Sequence, residues 1–258
     1  MDAGFVVLTQ NAWGGAPLWK RRAARLARAI ADLAPDVVGL QEIHAPEPRD
    51  AQSQAHELAA AIGGYRALFA PGRVTASGHA EGVALLVRED VRVVEREVLA
   101  LSVDPDDALD APHQRVVLRA TVERGLTVDV LCTHLSLSKP ARERTAPEAA
   151  RFAEAGLRRS GAEVAVLVGD LNAAPAEPCL TALDGAGFVD AWERTSPAER
   201  GGTWPAVAPF RRLDYVWAKL GEGWAVAECR RMPVAGSDHV GLWARLTGPA
   251  RGASAPAS

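Results

Sequence analysis

Asp170 and Asn172 stand two positions apart just after an apolar run, Val164-Ala165-Val166-Leu167-Val168, and Gly169. Five apolar residues, three of them Val, predict a strand buried on both faces. In an extended backbone Asp170 and Asn172 point the same way while Leu171 points into the core, so a carboxylate and an amide arrive together at a strand end. By itself Gly-Asp-Leu-Asn also reads as a turn, because these residue types dominate turns. Recurrence favours the strand-end reading. Residues 5–8 lead to Asn11, residues 36–40 to Gln41 and Glu42, and residues 126–132 to His134; a further run carries Asp214, and Ser237-Asp238-His239 precedes the last run, 240–246.

The elements that must hold these groups follow from the pattern. Residues 17–33 place Leu18, Ala23, Leu26, Ala27, Ile30 and Leu33 on one side and Lys20, Arg21, Arg22, Arg25 and Arg28 on the other, an amphipathic helix lying on a sheet with a solvated basic face. Further helices are expected over about 51–62, 140–159 and 176–183. Residues 116–122 and 126–132, joined by Glu123-Arg124-Gly125, predict a hairpin. Residues 65–70, 81–87, 91–98 and 225–229 complete the expected strands, the second of them opened by Glu81. Asp104 to Asp110 lacks the Gly and terminal Glu of an EF-hand and is read as solvated surface. His44 and His56 are assigned surface or loop roles.

Bulk properties narrow the function. The 258 residues are 48% apolar, with a net charge of −3 that argues against affinity built on a broad basic surface. Cys132, Cys179 and Cys229 are scattered, without metal-like spacing, and are expected reduced and mostly buried. No signal peptide or run of 18 apolar residues is visible, so a cytoplasmic monomer is expected. One domain over residues 1–247 and a disordered tail over 248–258, rich in Gly, Ala, Ser and Pro, are expected.

Asn11, Gln41-Glu42, Thr133-His134-Leu135, Gly169-Asp170-Leu171-Asn172, Leu213-Asp214-Tyr215 and Ser237-Asp238-His239, in this order, resemble the endonuclease/exonuclease/phosphatase family, in its deoxyribonuclease- and sphingomyelinase-like branches of metal-dependent phosphoesterases. The resemblance spans roughly residues 5–246. It implies an α/β (α+β) fold, a four-layer α/β/β/α sandwich of two mixed sheets with helices outside. It also implies roles: Glu42 as principal ligand of Mg²⁺ or Mn²⁺ with Asn11 and Asp238 close to the ion, Asp170 and Asn172 orienting water and holding phosphoryl oxygens, and His239 on the scissile phosphate with Asp214 orienting its ring. His134, paired with Glu81, is the expected proton donor to the leaving group.

The residue types support these roles independently. Carboxylates with an amide and no Cys or His cluster suit a hard ion, and a Glu after an apolar strand needs a cation or donor partner. A His beside a carboxylate is favoured in its charged form. Each group also has a plainer reading: His134 as a polar strand end, Asp214 as a structural acid, Glu42 as partner of an Arg. For substrate contact, Arg115 and Trp204 are the candidates. Arg142 and Arg144 are expected to be solvated, and at least two of Trp13, Trp204 and Phe210 to serve packing. The expected activity is phosphodiester hydrolysis, on a small molecule, lipid head group or nucleic acid. Phosphomonoester hydrolysis on a sugar, inositol or lipid, or a phosphate-binding module without turnover, are the alternatives.

Overall fold

The computed structural model describes residues 4–46 and 52–249. Two six-stranded sheets stack face to face. The first has the order β11 (Ala225–Arg231), β12 (Leu242–Thr247), β1 (Phe5–Asn11), β2 (Val37–Ala45), β4 (Ala80–Arg88), β3 (Tyr65–Val74). The second runs β5 (Arg92–Ala100), β6 (Val116–Glu123), β7 (Thr127–His134), β8 (Val164–Asp170), β10 (Asp214–Leu220), β9 (Val189–Asp190). On the flanks lie α1 (Trp19–Leu33), α2 (Gln54–Ile62), α3 (Lys139–Ser160), α4 (Pro178–Gly185) and α5 (Ala191–Thr195).

Three apolar layers separate these four. Val7, Val37, Leu85, Leu118, Val130 and Val166 meet between the sheets; Leu26 and Ile30 of α1 and Leu58 of α2 cover the outside of the first sheet; Ala146, Ala149, Ala150 and Ala153 of α3, with Leu180 and Leu183 of α4, cover the second. Each fully buried Leu or Ile contributes roughly 1.5–3 kcal/mol relative to exposure. The Ala stripe lets α3 lie close to its sheet. This explains why β1, β2, β7 and β8 read as near-continuous apolar runs, since both of their faces are covered.

Among the described residues only β1–β2 and β7–β8 pair in parallel, each pair joined by a crossover through a helix, α1 and α3 respectively. Their carboxyl ends share one rim, with Asn11 opposite Gln41 and His134 opposite Asp170. Beneath it the sheets touch at Gly39, where a Cβ would come within 2.4 Å of Val168 Cγ2.

Several expectations need correction. β3 continues to Val74, past its expected end at residue 70, and α5 was not foreseen. Asp110 is buried, pairs with Arg144 at 2.5 Å and accepts from Asp104 N, so the acidic loop is anchored. Arg142 is buried too, donating to the Ser136 and Leu137 carbonyls and to Glu177. Of the expected tail only Gly248 and Pro249 are described, and they pack against Trp224 and Gly223; the rest lies outside the described residues. All three cysteines are free and buried, and among the described residues no helix is long and apolar enough to cross a membrane.

Candidate active site

The strand ends deliver Asn11, Glu42, His134 and Asp170 to one rim, and β10 begins there with Asp214, directly opposite Asp170. A bulge between Leu40 and Ile43 breaks the β2–β4 ladder and puts Glu42 in the left-handed region, φ 53°, which re-aims its carboxylate toward the cleft. Asn172 also has positive φ, 51°. The two residues of the Asp170–Asn172 pair therefore converge through a tight turn, not by strand alternation: Asn172 N–H donates to Asp170 Oδ1 at 2.9 Å.

Asp170 Oδ2 is the centre of the constellation. Asn11 Nδ2 donates to it at 3.0 Å, and the Nε2 atoms of His134 and His239 lie 3.6 and 3.7 Å away. Burial pushes the Asp170 carboxyl up, and Asp214 adds to the rise. His239 Nδ1 meets Asp214 Oδ2 at 2.8 Å. Burial works against a charged ring, but Asp214, with help from Asp170 and Asp238, carries His239 up to about 10. Thr203 Oγ1 accepts from both Leu213 N and Asp214 N, fixing the start of β10. This Thr sits in the irregular stretch before β10, where no periodic pattern marks it.

His134 has the opposite character. Burial first, then Arg115 and His239, push it well below its ordinary value. Arg115 Nη1 lies 3.1 Å from its Nδ1 and Asn172 Nδ2 3.0 Å from its Nε2. A neutral imidazole has one acceptor nitrogen, and both neighbours aim donors at the ring, so a doubly protonated His134 would face donors on both sides. Among the described residues no hydrogen bond or ion pair joins it to Glu81, its expected partner; Arg115 and Asn172 contact the ring instead. Arg115 has no carboxylate partner among the described residues, and its buried Nε has no acceptor.

The expected ion-binding group is placed as follows. Glu42 Oε1 accepts from Asn11 Nδ2 at 2.9 Å. Asn11 Oδ1 accepts from Trp13 N–H at 2.9 Å, and its Nδ2 bridges Glu42 and Asp170. Asp238 Oδ2 accepts from Trp204 Nε1 at 3.3 Å. Burial raises the Glu42 carboxyl, and after the opposing Asn11 bond the charges of Glu81 and Asp238 raise it further. None of these three acids has a Lys or Arg ion pair among the described residues. An all-oxygen set with uncompensated charge fits a hard divalent ion. Asp170, Asp214 and His239 also bring ligand atoms within 4.8 Å of one another, but a His239 held cationic has no lone pair to offer.

The walls carry the remaining groups. An open pocket of about 480 Å³ is lined by Glu42, Glu81, His113, Arg115, His134, Asp170, Asn172 and His239, and by Leu137, Trp204, Arg211 and Leu213. Arg211 lies over the Trp204 ring, 5.8 Å from its centroid, and Phe210 sits beside it at 6.3 Å. Arg22, expected on a solvated helix face, instead donates to the carbonyls of Ala12, Trp13, Ala16, Pro17 and Gly236, tying the loop after Asn11 to the loop before Asp238. Ser237 Oγ closes the same joint by donating to Asn11 O at 2.7 Å.

A family profile described as the Endonuclease/Exonuclease/phosphatase family matches residues 8–239. The chain belongs to the endonuclease/exonuclease/phosphatase family. Its fold is shared with solved members. One is an endonuclease/exonuclease/phosphatase from Bacteroides vulgatus, 20% identical, with a TM-score of 0.75 over 95% of this chain and 98% of that one. The human Nocturnin catalytic domain with bound sulfate is 18% identical, with a TM-score of 0.74 over 95% of each chain. A mannosyl-6-phosphatase from Bacteroides thetaiotaomicron is 17% identical, with a TM-score of 0.74 over 94% of this chain and 99% of that one. No curated protein matches this family member by sequence.

Proposed function

We propose that the protein is a divalent-metal-dependent phosphodiesterase. The observation that carries this reading is the placement of one buried carboxylate, Asp170, within reach of an amide donor and two imidazoles of opposite character. Phosphoryl transfer needs a positioned nucleophile and fixed positive charge around the equatorial oxygens. Asp170 orients a water and accepts its proton, a task its raised pKa suits. Cationic His239 donates from Nε2 to a phosphoryl oxygen, with Asp214 holding the ring. Arg115 and Asn172 supply further donors, and neutral His134 serves as a positioned dipole between them.

Glu42, with Asp238 and Glu81 near it, would hold Mg²⁺ or Mn²⁺, which when bound supplies Lewis-acid stabilisation of phosphoryl charge. The diester reading is supported by Leu137, Trp204 and Leu213 in the lining of the same pocket, apolar groups that can meet a second ester substituent. A panel of a chromogenic phosphodiester, its monoester, single- and double-stranded DNA, RNA and sphingomyelin, each with Mg²⁺, Mn²⁺ or chelator, tests it. Turnover of diesters that requires metal and disappears in Asp170→Asn and His239→Ala is expected. Faster monoester turnover would replace the diester assignment, and metal-independent turnover would overturn the mechanism.

A further inference from the structure

Arg211 and Arg212 are neighbours in sequence with opposite surroundings. Arg212 is buried, with Nη1 2.9 Å from Asp190 and Nη2 2.8 Å from Glu193. The Arg211 side chain is exposed and makes no hydrogen bond or ion pair among the described residues. Its backbone is nonetheless clamped, since Arg211 N–H donates to Trp204 O at 3.0 Å and Trp204 N–H to Arg211 O at 2.9 Å. The guanidinium lies over the indole, and the indole is itself tied to Asp238. A charged fork is thus held on a fixed base in the wall of the catalytic pocket. Arg211 also lines a second open pocket of about 430 Å³, together with Pro175, Pro197, Arg200 and Phe210, and so stands on the border between the two. Asp170, Asn172, His134 and His239 are all absent from the second lining. The Phe210 ring, 66% exposed, stands beside Trp204 on the same border.

We infer, on the phosphodiesterase reading, that Arg211 is a specificity-determining residue that binds a second phosphate on the non-reacting substituent of the diester, with Phe210 against a flat ring next to that phosphate. Stacking on an indole leaves the edge N–H groups of a guanidinium free, and the planar fork meets a phosphate with two parallel bonds. The scissile phosphate has its own donors in His239, Asn172 and Arg115, whereas Arg211 borders a pocket that none of the reacting groups lines; the anion it meets is a different one. An alkyl tail laid over the guanidinium would strip its water and replace nothing. A phosphate satisfies the charge, and a flat ring stacks on Phe210. The acids of the second pocket leave Arg211 available, because Glu193 is matched by Arg212 and Glu199 is followed by Arg200. A nucleoside with phosphates at two positions has this chemistry, in a small nucleotide ester or in a single strand.

The test is isothermal titration of the full chain carrying Asp170→Asn, chosen to block turnover, in saturating Mg²⁺ with thymidine 5′-monophosphate and thymidine 3′,5′-bisphosphate. The bisphosphate is expected to bind about 10- to 100-fold more tightly, the scale of one charge-assisted contact. Arg211→Ala added to that chain should erase the preference, Arg211→Lys should restore part of it, and Phe210→Ala should weaken both probes by a similar factor. A 5′-phosphorylated tetrathymidylate that binds more tightly than the bisphosphate, with the same dependence on Arg211, assigns the second phosphate to a strand; equal binding assigns it to a small nucleotide. Equal affinity for the two thymidine phosphates with Arg211 in place, or a preference that survives Arg211→Ala, would overturn the assignment and leave the phosphodiesterase reading standing. Binding of neither, beside diester turnover by the wild type, would overturn it as well, and absence of that turnover would count against the phosphodiesterase reading itself.

Discussion

At the scale of single residues, the rim holds two imidazoles whose surroundings push them in opposite directions. Both are buried, so desolvation disfavours the charged form of each. What separates them is the neighbour: a carboxylate 2.8 Å from His239, a guanidinium 3.1 Å from His134. Asp214→Asn should consequently drop the His239 pKa from about 10 toward its ordinary value, with burial then opposed only by Asp170 and Asp238. Histidine ring NMR should show that resonance titrating at lower pH, and the alkaline limb of kcat/KM should move the same way. The lost donor should lower kcat by roughly 10²–10³-fold at neutral pH, the cost typical of one transition-state hydrogen bond. An unchanged ring titration would show that Asp214 does not hold the charge. The pairing of Asp214 with His239 was expected from the family resemblance that Leu213-Asp214-Tyr215 and Ser237-Asp238-His239 carry, not from any local pattern, which left Asp214 open to reading as a structural acid. The Arg115 contact of His134 was not drawn from the sequence, although the hairpin was: the turn predicts that β6 and β7 pair, with Val117 opposite Thr133 in the structure, but not that the Arg115 side chain turns to the His134 ring.

At the scale of elements, the rim is a joint between loops that secondary structure alone does not fasten. Arg22 fastens them through five carbonyls, and Trp13 and Trp19 sit within 5.2 and 5.5 Å of its guanidinium carbon. A planar fork can serve several acceptors at once, whereas an ammonium cannot. Arg22→Lys should therefore cost about 1.5–3 kcal/mol, the scale of hydrogen bonds with a charged partner, read as a shift of the urea midpoint. It should also weaken divalent-ion affinity, since Asn11 and Asp238 flank the joint. Sequence periodicity placed Arg22 correctly on the polar side of α1; it could not reveal that this side meets the Gly236 loop. The strands themselves were readable because a strand covered on both faces must be a continuous apolar run, and α1 and α3 because their spacing is helical. The five-residue α5 is too short to carry a period.

Beneath the rim, Gly39 makes a second testable joint. Gly39→Ala would set a methyl against Val168, and overpacking of this kind costs typically about 1–3 kcal/mol. Val168→Ala in the same chain should recover part of the loss, a coupling that a double-mutant cycle on melting free energies measures directly. Strict additivity would mean that the two sheets do not meet there in solution.

For the molecule as a whole, the fold gathers Glu42, Glu81 and Asp238 with no Lys or Arg ion pair among the described residues, so three carboxylates that are far apart in the unfolded chain are brought close together. Burial, then the neighbouring carboxylates, hold Glu42 above its ordinary value. A carboxyl raised on folding favours the fold fully below its unfolded value, near about 4.3, and loses that contribution as pH climbs through the folded value. A bound divalent ion displaces the proton and removes the repulsion, so its affinity should grow with pH over that same window. An ion present at 100 times its dissociation constant adds about 2.7 kcal/mol to stability. Mg²⁺ should thus raise the melting temperature more on the alkaline side of the Glu42 titration than on its acid side, with sodium chloride matched for ionic strength. Glu42→Gln should lose most of the Mg²⁺ effect while melting higher than wild type without metal, because it removes one of three like charges. Equal Mg²⁺ shifts in the two proteins would place the ion elsewhere, and a pH-independent shift in the wild type would mean that the proton and the ion do not compete for Glu42.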